Sequence, residues 1–389
     1  MQLQSLRIEG FRSLKSVTWK PGRLNVLIGP NGGGKSNLLR ALDLIRVAAK
    51  GELRETILRM GGMAPLVWDG EAKTISLEFI LAGAPSASIY ECQFELHRIG
   101  NTGSYVVQND QLSILEAGAK PESARVMLRP RPEDSVVPDW IPPKGPVRVA
   151  ELLERVGLGD SEAGISLRSA GDLNRAALGW CVYTDLRTDQ KAELRQAAVT
   201  RSETRVASDG QNLVAVLHTL YTGDRGFEEF LDNAMTAAFP GDYDKLTFTP
   251  AEDGRVQMRV RRKHRNKADS TADLSDGTLR FLLLVAILGS PDPAPLIAID
   301  EPETGLHPRM LPIVAELAEN AAMKTQVIFS THSPEFLNAF RDEPPTTTVV
   351  TSDGSESELK TLEGESLKRW IDDYSLGKFA FSGEAELAS

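Results

Sequence analysis

Hydrophobic residues recur along the chain with two different periods, and their order predicts an α/β protein. Apolar residues alternate with polar ones, as on half-buried strands, at 3–17, 75–79, 90–96 and 246–260. Continuous apolar runs typical of strands buried on both faces lie at 23–28, 295–299 and 326–329. Helical spacing is found beside these runs at 35–50, 279–288 and 311–322.

The middle and the end of the chain carry weaker patterns. We predict three or four antiparallel strands between 71 and 114, and loops at the proline-rich 120–145 and the polar 189–208. Apolar spacing predicts further helices at 149–156, 170–185, 212–221 and 227–239. A last strand is predicted at 346–351, before an acidic, polar tail.

The composition narrows the class of protein. The chain has 389 residues and a formal net charge of −10, which argues against a uniformly basic nucleic-acid coat. Its two cysteines, Cys92 and Cys181, lack metal-ligand spacing, so a disulfide scaffold and a zinc finger are excluded. The longest apolar run, 281–288, is too short to cross a bilayer, and the N-terminus lacks a signal-peptide pattern. We therefore expect a cytoplasmic protein without a membrane partner.

A glycine-rich segment at 29–36, GPNGGGKS, follows the first buried strand and opens a helix. It matches the pattern of a phosphate loop, in which glycines let successive backbone N–H groups converge on phosphate oxygens. In that interpretation Lys35 reaches the β- and γ-phosphates and Ser36 places its hydroxyl on Mg²⁺. The alternative is a glycine-rich turn that binds nothing. The strand before it and the helix after it favour the phosphate loop.

An acidic pair, Asp300-Glu301, ends the apolar run at 295–299 and resembles a Walker B segment. The strand would deliver Asp300 to its carboxyl end, where ligands bind in open α/β sheets, and Asp300 would hold Mg²⁺. Glu301 is then placed to accept a proton from the attacking water. The alternative is a strand followed by a solvated acidic turn, but the phosphate loop upstream favours the Walker B interpretation.

Two further segments have the character of anion sites. Ser275 and Gly277 lie at the start of the predicted helix at 279–288, where backbone N–H groups attract anions. The alternative is plain capping of that helix by Ser275 or Asp276. His332 follows the apolar strand at 326–329 and could hydrogen-bond a γ-phosphate, although a lone histidine is more often structural.

The order of these motifs resembles the ABC-type ATPases of the RecF, SMC and Rad50 group. The resemblance is greatest to the AAA-family ATPases related to the ATPase part of the overcoming-lysogenization-defect proteins. It covers about residues 1–60 and 205–389 and is weak over 70–205. It rests on the phosphate loop and on the segments IEGFRS at 8–13, LSDGTLR at 274–280, DEPETGLHP at 300–308 and THSP at 331–334.

The resemblance implies a P-loop NTPase of the ABC-ATPase head type, with helices on both faces of a mixed central sheet and an antiparallel β-rich and helical insertion. It also implies that two heads form a homodimer around two Mg²⁺–ATP, each phosphate loop facing the partner's signature segment, 274–278. In that family Glu301 corresponds to the catalytic base, His332 to the switch histidine and Lys35 to the catalytic lysine. Metal binding falls to Ser36 and Asp300. The implied nucleotide-binding set is Arg12, Asn31, Gly32, Gly33, Gly34, Lys35, Ser36, Asn37, Ser275 and Gly277, the last two acting in trans.

The sequence departs from the family pattern in two places. Asp276 stands where the signature usually has a first glycine, and the Q-loop glutamine has only Gln93 and Gln108 as candidates. Because the two halves of the nucleotide site lie far apart in sequence, we predict one ATPase head split by an insertion. Its parts are an N-terminal lobe at 1–70, the insertion at 71–205 and a C-terminal lobe at 206–389. We expect neither coiled-coil arms nor a terminal nuclease domain.

A basic strip at 255–267 suggests a nucleic-acid contact. It contains seven arginines and lysines and no acid, and we predict DNA binding through Arg259, Arg261, Arg262, Lys263 and Arg265. A solvated strand tip that pairs with local carboxylates is an equally good interpretation. The leading function is an ATP-driven dimer that acts on DNA. The alternatives are a regulatory ATPase with a separately encoded nuclease or toxin effector, and the ATPase subunit of a transporter.

Overall fold

The computed structural model describes residues 1–83, 89–99, 104–115, 125–128, 136–137, 147–148, 176–340 and 344–375. The strands, in chain order, are β1 Gln2–Phe11, β2 Leu14–Trp19, β3 Leu24–Ile28, β4 Thr74–Ala82, β5 Ile89–Ile99, β6 Ser104–Leu115, β7 Arg125–Leu128, β8 Val136–Val137, β9 Val147–Arg148, β10 Cys181–Tyr183, β11 Ala198–Val199, β12 Tyr243–Pro250, β13 Arg255–Arg262, β14 Asp269–Ser270, β15 Leu296–Asp300, β16 Gln326–Thr331, β17 Thr346–Ser352 and β18 Ser357–Leu362. The helices are α1 Lys35–Lys50, α2 Leu53–Arg59, α3 Leu213–Gly223, α4 Arg225–Ala238, α5 Asp276–Leu288, α6 Leu311–Ala322, α7 Pro334–Leu337 and α8 Gly364–Ser375.

Two six-stranded sheets organise these elements. The mixed sheet has the order β10-β15-β16-β3-β17-β18, in which the first five strands are parallel and β18 is antiparallel. The antiparallel sheet has the order β2-β1-β4-β5-β6-β7. A smaller sheet joins β11, β13 and β12, with β14 paired to β13. The fold class predicted from the sequence, an α/β mixed sheet with an antiparallel β-rich addition, is confirmed.

Helices cover both faces of the mixed sheet. On one face α1 packs between the two large sheets, where it shares a hydrophobic core with residues of β1, β4 and β5. On the other face α3, α4, α5 and α6 form a second core against β3, β15 and β16. All five residues of β3 and all six of β16 are buried, which explains their continuous apolar runs.

Two buried amides satisfy backbone groups that the sheets leave open. The Asn25 side chain accepts from the backbone N–H of Gly22 (2.6 Å) and donates to the carbonyl of Val327 (3.1 Å). The Gln326 side chain accepts from the N–H of Leu3 (2.9 Å) and donates to its carbonyl (3.0 Å). Gln326 therefore links the first strand of the antiparallel sheet to the middle of the mixed sheet, since buried polar groups require partners.

The structure corrects three expectations. The helix predicted at 170–185 is wrong for its last part, because Cys181–Tyr183 is strand β10 and pairs in parallel with β15. The tail predicted after 351 is wrong as well, because β18 and α8 follow. Only Ser357 and Leu362 are buried in β18, so the sequence lacks the apolar alternation from which this strand could be predicted. The loop expected at 189–208 contains a short 3₁₀ turn, Glu193–Arg195, and strand β11.

Other expectations have different outcomes. The helix predicted at 149–156 and most of the loop predicted at 120–145 lie outside the described residues. The division of the chain into two lobes and an insertion stays a prediction. β4 pairs with β1 along the antiparallel sheet, and β10 extends the mixed sheet, so 71–205 contributes strands to both large sheets. Across the ranges described above, each helix falls short of the length and hydrophobicity needed to cross a bilayer.

Candidate functional site

The carboxyl ends of three parallel strands bring the sequence motifs together. Ile28 at the end of β3 lies level with Thr331 of β16, and Ser330 of β16 lies level with Asp300 of β15. The phosphate loop (29–36), the Walker B turn (300–301) and His332 therefore leave the mixed sheet at the same edge. This is the edge at which open α/β sheets bind ligands.

At two positions of the phosphate loop, Gly33 and Gly34, the surrounding atoms leave no room for a side chain. Gly34 has a φ of 107°, and a Cβ there would lie 2.2 Å from Oγ of Ser357. A Cβ on Gly33 would lie 2.6 Å from the carbonyl oxygen of Val350. Gly34 caps α1 without a side chain, so the first N–H groups of a 16-residue helix face the loop. Asn31 and Gly32 are exposed at its rim.

Lys35 is folded back into the loop that precedes it. Its ammonium donates to the carbonyls of Gly29 (2.7 Å) and Pro30 (2.9 Å), and the residue is only 5% exposed. Burial lowers the pKa of Lys35, while the carboxylates of Glu301 and Asp300 oppose that shift. The charge of Lys35 is thus held in the concave loop and faces the Walker B turn, an arrangement that fits a polyphosphate.

The Walker B turn is held in a strained conformation by neighbours on two sides. Glu301 has a φ of 47°, in the left-handed region, and its N–H donates to the carbonyl of Ser330 (2.9 Å). The Ser330 hydroxyl donates to the Asp300 carboxylate. Arg280 of α5 donates to the carbonyls of Asp300 (3.2 Å) and Glu301 (2.9 Å). These contacts fix the direction of both acidic side chains.

Arg280 was not predicted as a site residue. It is 9% exposed in a helix whose other buried residues are almost all apolar, and burial lowers its pKa. A buried arginine needs several hydrogen-bond acceptors. An arginine within an otherwise apolar helix therefore indicates a structural or functional role, and this pattern is visible in the sequence.

Glu301, Glu303 and His332 form a cluster beside the turn. Nδ1 of His332 lies 3.3 Å from Oε1 of Glu301 and 3.8 Å from Oε1 of Glu303. The Thr331 hydroxyl donates to Glu303, and burial raises the pKa of that carboxyl group. The Glu301 side chain is 39% exposed, in contrast to the buried Glu303, at 9%. Of the two, Glu301 is the carboxylate that a solvent molecule can reach.

The turn between β1 and β2 lies against the start of α1. The Asn37 amide donates to the Ser13 hydroxyl (2.8 Å), which also accepts from Ser357 (2.7 Å). Arg12 has a φ of 52°, and its Nε is buried without a hydrogen-bond partner among the described residues. Burial lowers the pKa of Arg12, and the neighbouring Arg40 lowers it further. An orphaned cationic donor beside the phosphate loop fits an anionic ligand, whereas Asn37 is already used in holding α1 to the turn.

The residues on this edge fit the expected ligands, Mg²⁺ and ATP. Backbone N–H groups, Lys35 and Arg12 supply positive potential for phosphates. Ser36 in the first turn of α1 and Asp300 supply the hard oxygen donors that Mg²⁺ prefers, with the remaining positions left to water and phosphate.

The signature segment, 274–278, caps α5. The Ser275 hydroxyl accepts from the N–H of Thr278 (3.2 Å), so the capping interpretation holds, yet Ser275 is exposed and available to a ligand as well. A Cβ on Gly277 would lie 2.4 Å from the carbonyl of Gly305, so this position requires glycine. No hydrogen bond among the described residues joins Ser275 to the phosphate loop of its own chain.

Three of the seven basic residues of the strip form ion pairs with nearby acids. Arg261 pairs with Asp244 (3.2 Å), Arg262 with Asp242 and with Asp269 (2.6 Å), and Arg265 with Asp269 (3.3 Å). Arg259 and Arg255 donate instead to neutral acceptors, the amide of Gln257 (2.7 Å) and the carbonyl of Ala197 (3.1 Å). In the described part of the chain, Lys263 and Lys267 have no ion pair, and both are exposed. Local partners therefore account for the arginines, and these two lysines remain as the open charges.

The two Q-loop candidates lie in the antiparallel sheet. Gln93 lies in β5 and donates to Glu95 (3.1 Å), and Gln108 lies in β6.

Sequence comparison identifies relatives over different lengths. Residues 24–338 match the family described as "AAA domain, putative AbiEii toxin, Type IV TA system". A 50-residue stretch, 12% of the chain, is 46% identical to the DNA replication and repair protein RecF of Moorella thermoacetica and spans 13% of that protein. A 43-residue stretch, 11% of the chain, is 42% identical to the OLD nuclease of Thermus scotoductus and spans 8% of it. The chain thus matches a small part of the length of either curated relative.

Structural comparison covers nearly the whole chain. An SMC head bound to the C-winged helix domain of ScpA aligns with a TM-score of 0.55 at 15% identity, over 95% of this chain and 100% of the other. An SMC head domain with a coiled coil and joint, derived from Pyrococcus yayanosii, aligns with a TM-score of 0.51 at 12% identity, over 96% and 99%. The fold is therefore that of an SMC head. With a family match over most of its length, the chain belongs to this AAA-domain family, within the RecF, SMC and Rad50 group of ABC-type ATPases.

Proposed function

We propose that the protein binds and hydrolyses Mg²⁺–ATP as a dimer of heads, and that the ATP-bound dimer acts on DNA. One observation supports the catalytic part most: Lys35, Asp300, Glu301 and His332 converge on one edge of the mixed sheet. A phosphate cradle, a metal-binding acid and a solvent-accessible carboxylate in one place are the parts that phosphoryl transfer to water requires.

Each residue has a distinct task in this proposal. The loop N–H groups and Lys35 hold the phosphates, and Arg12 adds a second positive charge from the β1–β2 turn. Glu301 accepts the proton of the attacking water, and His332, 3.3 Å away, orients that carboxylate and faces the γ-phosphate. Arg280 keeps the turn in its strained form. Bound Mg²⁺ would neutralise charge that develops on the phosphate oxygens.

The position of the signature segment supports the proposed dimerisation. Ser275 and Gly277 present an exposed helix N-terminus that has no hydrogen bond to the chain's own phosphate loop among the described residues. A second head placed head-to-tail would bring this terminus to the γ-phosphate bound by its partner. Each ATP would then contact both heads, and its binding free energy would stabilise the dimer.

The proposal predicts that ATP converts the protein from monomer to dimer and that DNA stimulates hydrolysis. The measurement is molar mass by light scattering with and without Mg²⁺–ATP, together with steady-state ATPase with and without duplex DNA. A monomer in saturating ATP would contradict the trans arrangement. Dimerisation without any DNA effect would favour the second candidate, a regulatory ATPase with a separate effector, which the toxin–antitoxin description of the family supports.

Lys263 and Lys267, the basic residues of the strip without an ion pair among the described residues, test DNA contact better than its arginines do. Replacing Lys263 and Lys267 with Gln is expected to weaken DNA binding and to lower the magnitude of the log K–log[salt] slope by about 1.8, at ~0.9 per phosphate. Arg262 is unsuitable, because its loss would leave Asp242 without its ion-pair partner and would remove one of the two arginines that pair with Asp269. Lys324→Gln, an exposed lysine just before β16, is the matched control. An unchanged slope in the double variant would remove the strip from the DNA interface.

A further inference from the structure

Arg195 is a buried arginine that contacts the backbone leading into the signature segment. Only 4% of the residue is exposed, and its guanidinium donates to the carbonyls of Thr271 (3.3 Å), Ala272 (3.2 Å) and Leu274 (2.7 Å). It also donates to the carboxylate of Asp276. In return, the Thr271 hydroxyl donates to the Arg195 carbonyl (2.8 Å). The backbone leading into the signature is therefore wrapped around one side chain.

Arg195 ends a stretch, residues 186–195, that we call the bridge segment. Two carbonyls of the bridge segment complete the hydrogen bonds of Arg195, since its Nε donates to those of Thr188 (2.9 Å) and Asp189 (3.0 Å). At the other end, the carbonyl of Leu186 accepts from Arg280 (2.9 Å), the residue that holds the Walker B turn. The bridge segment thus touches both the loop before α5 and the arginine within α5.

The Arg195 contact gives a reason for the unusual residue in the signature. A buried guanidinium needs a compensating negative charge, and Asp276 is the carboxylate it contacts. The Asp276 side chain is turned to Arg195 from the position at which the ABC-type signature usually has its first glycine. The Asp276 side chain is 61% exposed, so this carboxylate reaches the buried Arg195 from the protein surface next to Ser275.

We propose that Arg195, with Asp276 as its counter-ion, is a positioning residue that sets the shape of the signature segment for the ATP bound by the partner head. The inference rests on the proposed dimer. Arg195 acts through the carbonyls of 271–274 and the orientation of Ser275 and Gly277, and it touches no nucleotide of its own chain. Arg280, by contrast, serves the ATP of its own chain through the Walker B turn. The two arginines therefore belong to opposite ATP sites of the dimer.

A mixed-dimer experiment separates the two roles. Arg195→Ala alone is expected to keep single-head ATP binding and to lose about 10²-fold in ATPase rate, the effect of misplacing a contacting group. Mixed with Lys35→Ala, it should regain activity, because one site then combines an intact phosphate loop with an intact signature segment. Arg280→Ala mixed with Lys35→Ala should not recover, because no intact pair of half-sites forms.

Reference variants make the outcome decisive. Ser275→Ala, which loses the hydroxyl without adding bulk, mixed with Lys35→Ala sets the recovery expected for a pure signature defect. Arg205→Ala, an exposed arginine paired with Asp292, should behave as wild type. If Ser275→Ala alone is slow and its mixture does not recover, the shared ATP site is contradicted. If that mixture recovers and the Arg195→Ala mixture does not, the role of Arg195 is overturned while the dimer stands.

A second variant covers the case in which Arg195→Ala does not fold. Asp276→Ala removes only the surface carboxylate of the pair. It is expected to lower the ATPase rate, to recover with Lys35→Ala, and to leave ATP binding by the monomer unchanged. Full ATPase activity in Asp276→Ala would overturn the assignment of Asp276 as the counter-ion that positions the signature.

Discussion

Replacing Glu301 with Gln is expected to slow ATP hydrolysis by about 10² to 10⁴-fold, the usual contribution of a general base, while ATP still binds. Gln keeps the size and the hydrogen-bonding shape of the side chain, so the turn should remain pinned by Arg280 and Ser330. It cannot accept the proton of the attacking water. The ATP-bound dimer should therefore accumulate.

Single-turnover hydrolysis and light scattering in Mg²⁺–ATP measure the two effects of this variant. Glu316→Gln, an exposed glutamate on α6, is the matched control and should match wild type in both. Wild-type turnover in Glu301→Gln would assign the proton transfer to another group. A slow variant that stays monomeric would separate hydrolysis from dimerisation.

Replacing Ser275 with Arg is expected to abolish ATP-dependent dimerisation and to reduce the ATPase rate by about 10² to 10³-fold, the cost of losing a donor aimed at the reacting group. The long side chain would occupy the exposed helix N-terminus at which the partner's γ-phosphate is proposed to bind. Nucleotide binding to a single head should persist, because the phosphate loop lies in a different part of the fold.

The steric effect of the arginine in Ser275→Arg must be separated from the loss of the hydroxyl that caps α5. Ser275→Ala removes the hydroxyl that accepts from Thr278 and is expected to cost about 1 kcal/mol in stability without blocking a partner. Ser275→Thr retains the cap and should be nearly silent. Nucleotide affinity by fluorescence titration and mass in ATP give the readouts. Full ATPase activity in Ser275→Arg would argue against a site shared between two heads.

The sequence predicts best where the chain is buried on both faces of the mixed sheet. β3, β15 and β16 are continuous apolar runs that end in chemically distinctive residues, so both the strands and the residues at their carboxyl ends could be predicted. α6 is found at the predicted residues, Leu311–Ala322, because its apolar spacing is regular.

Features that depend on partners distant in sequence could not be predicted. β10 is three residues long, and its place in the sheet comes from pairing with β15 more than a hundred residues away. Arg195 and Arg280 donate mainly to backbone carbonyls distant in sequence, so side-chain patterns do not identify their partners, although Arg280 itself is conspicuous in an apolar helix. The basic strip shows the same limit, because Arg261 and Arg262 pair with Asp244 in the neighbouring strand β12 and with Asp242 just before it.

The position of β3 has a consequence for synthesis of the protein on the ribosome. β3 lies between β16 and β17, so both of its neighbours are translated some 300 residues after it. The N-terminal strand β1 likewise waits for Gln326 to complete its hydrogen bonds. Sheets that pair distant segments form slowly, and their unpaired edges are open to aggregation in the meantime. A nascent chain therefore carries the phosphate loop early but gains a folded nucleotide pocket only after residue 352 has emerged.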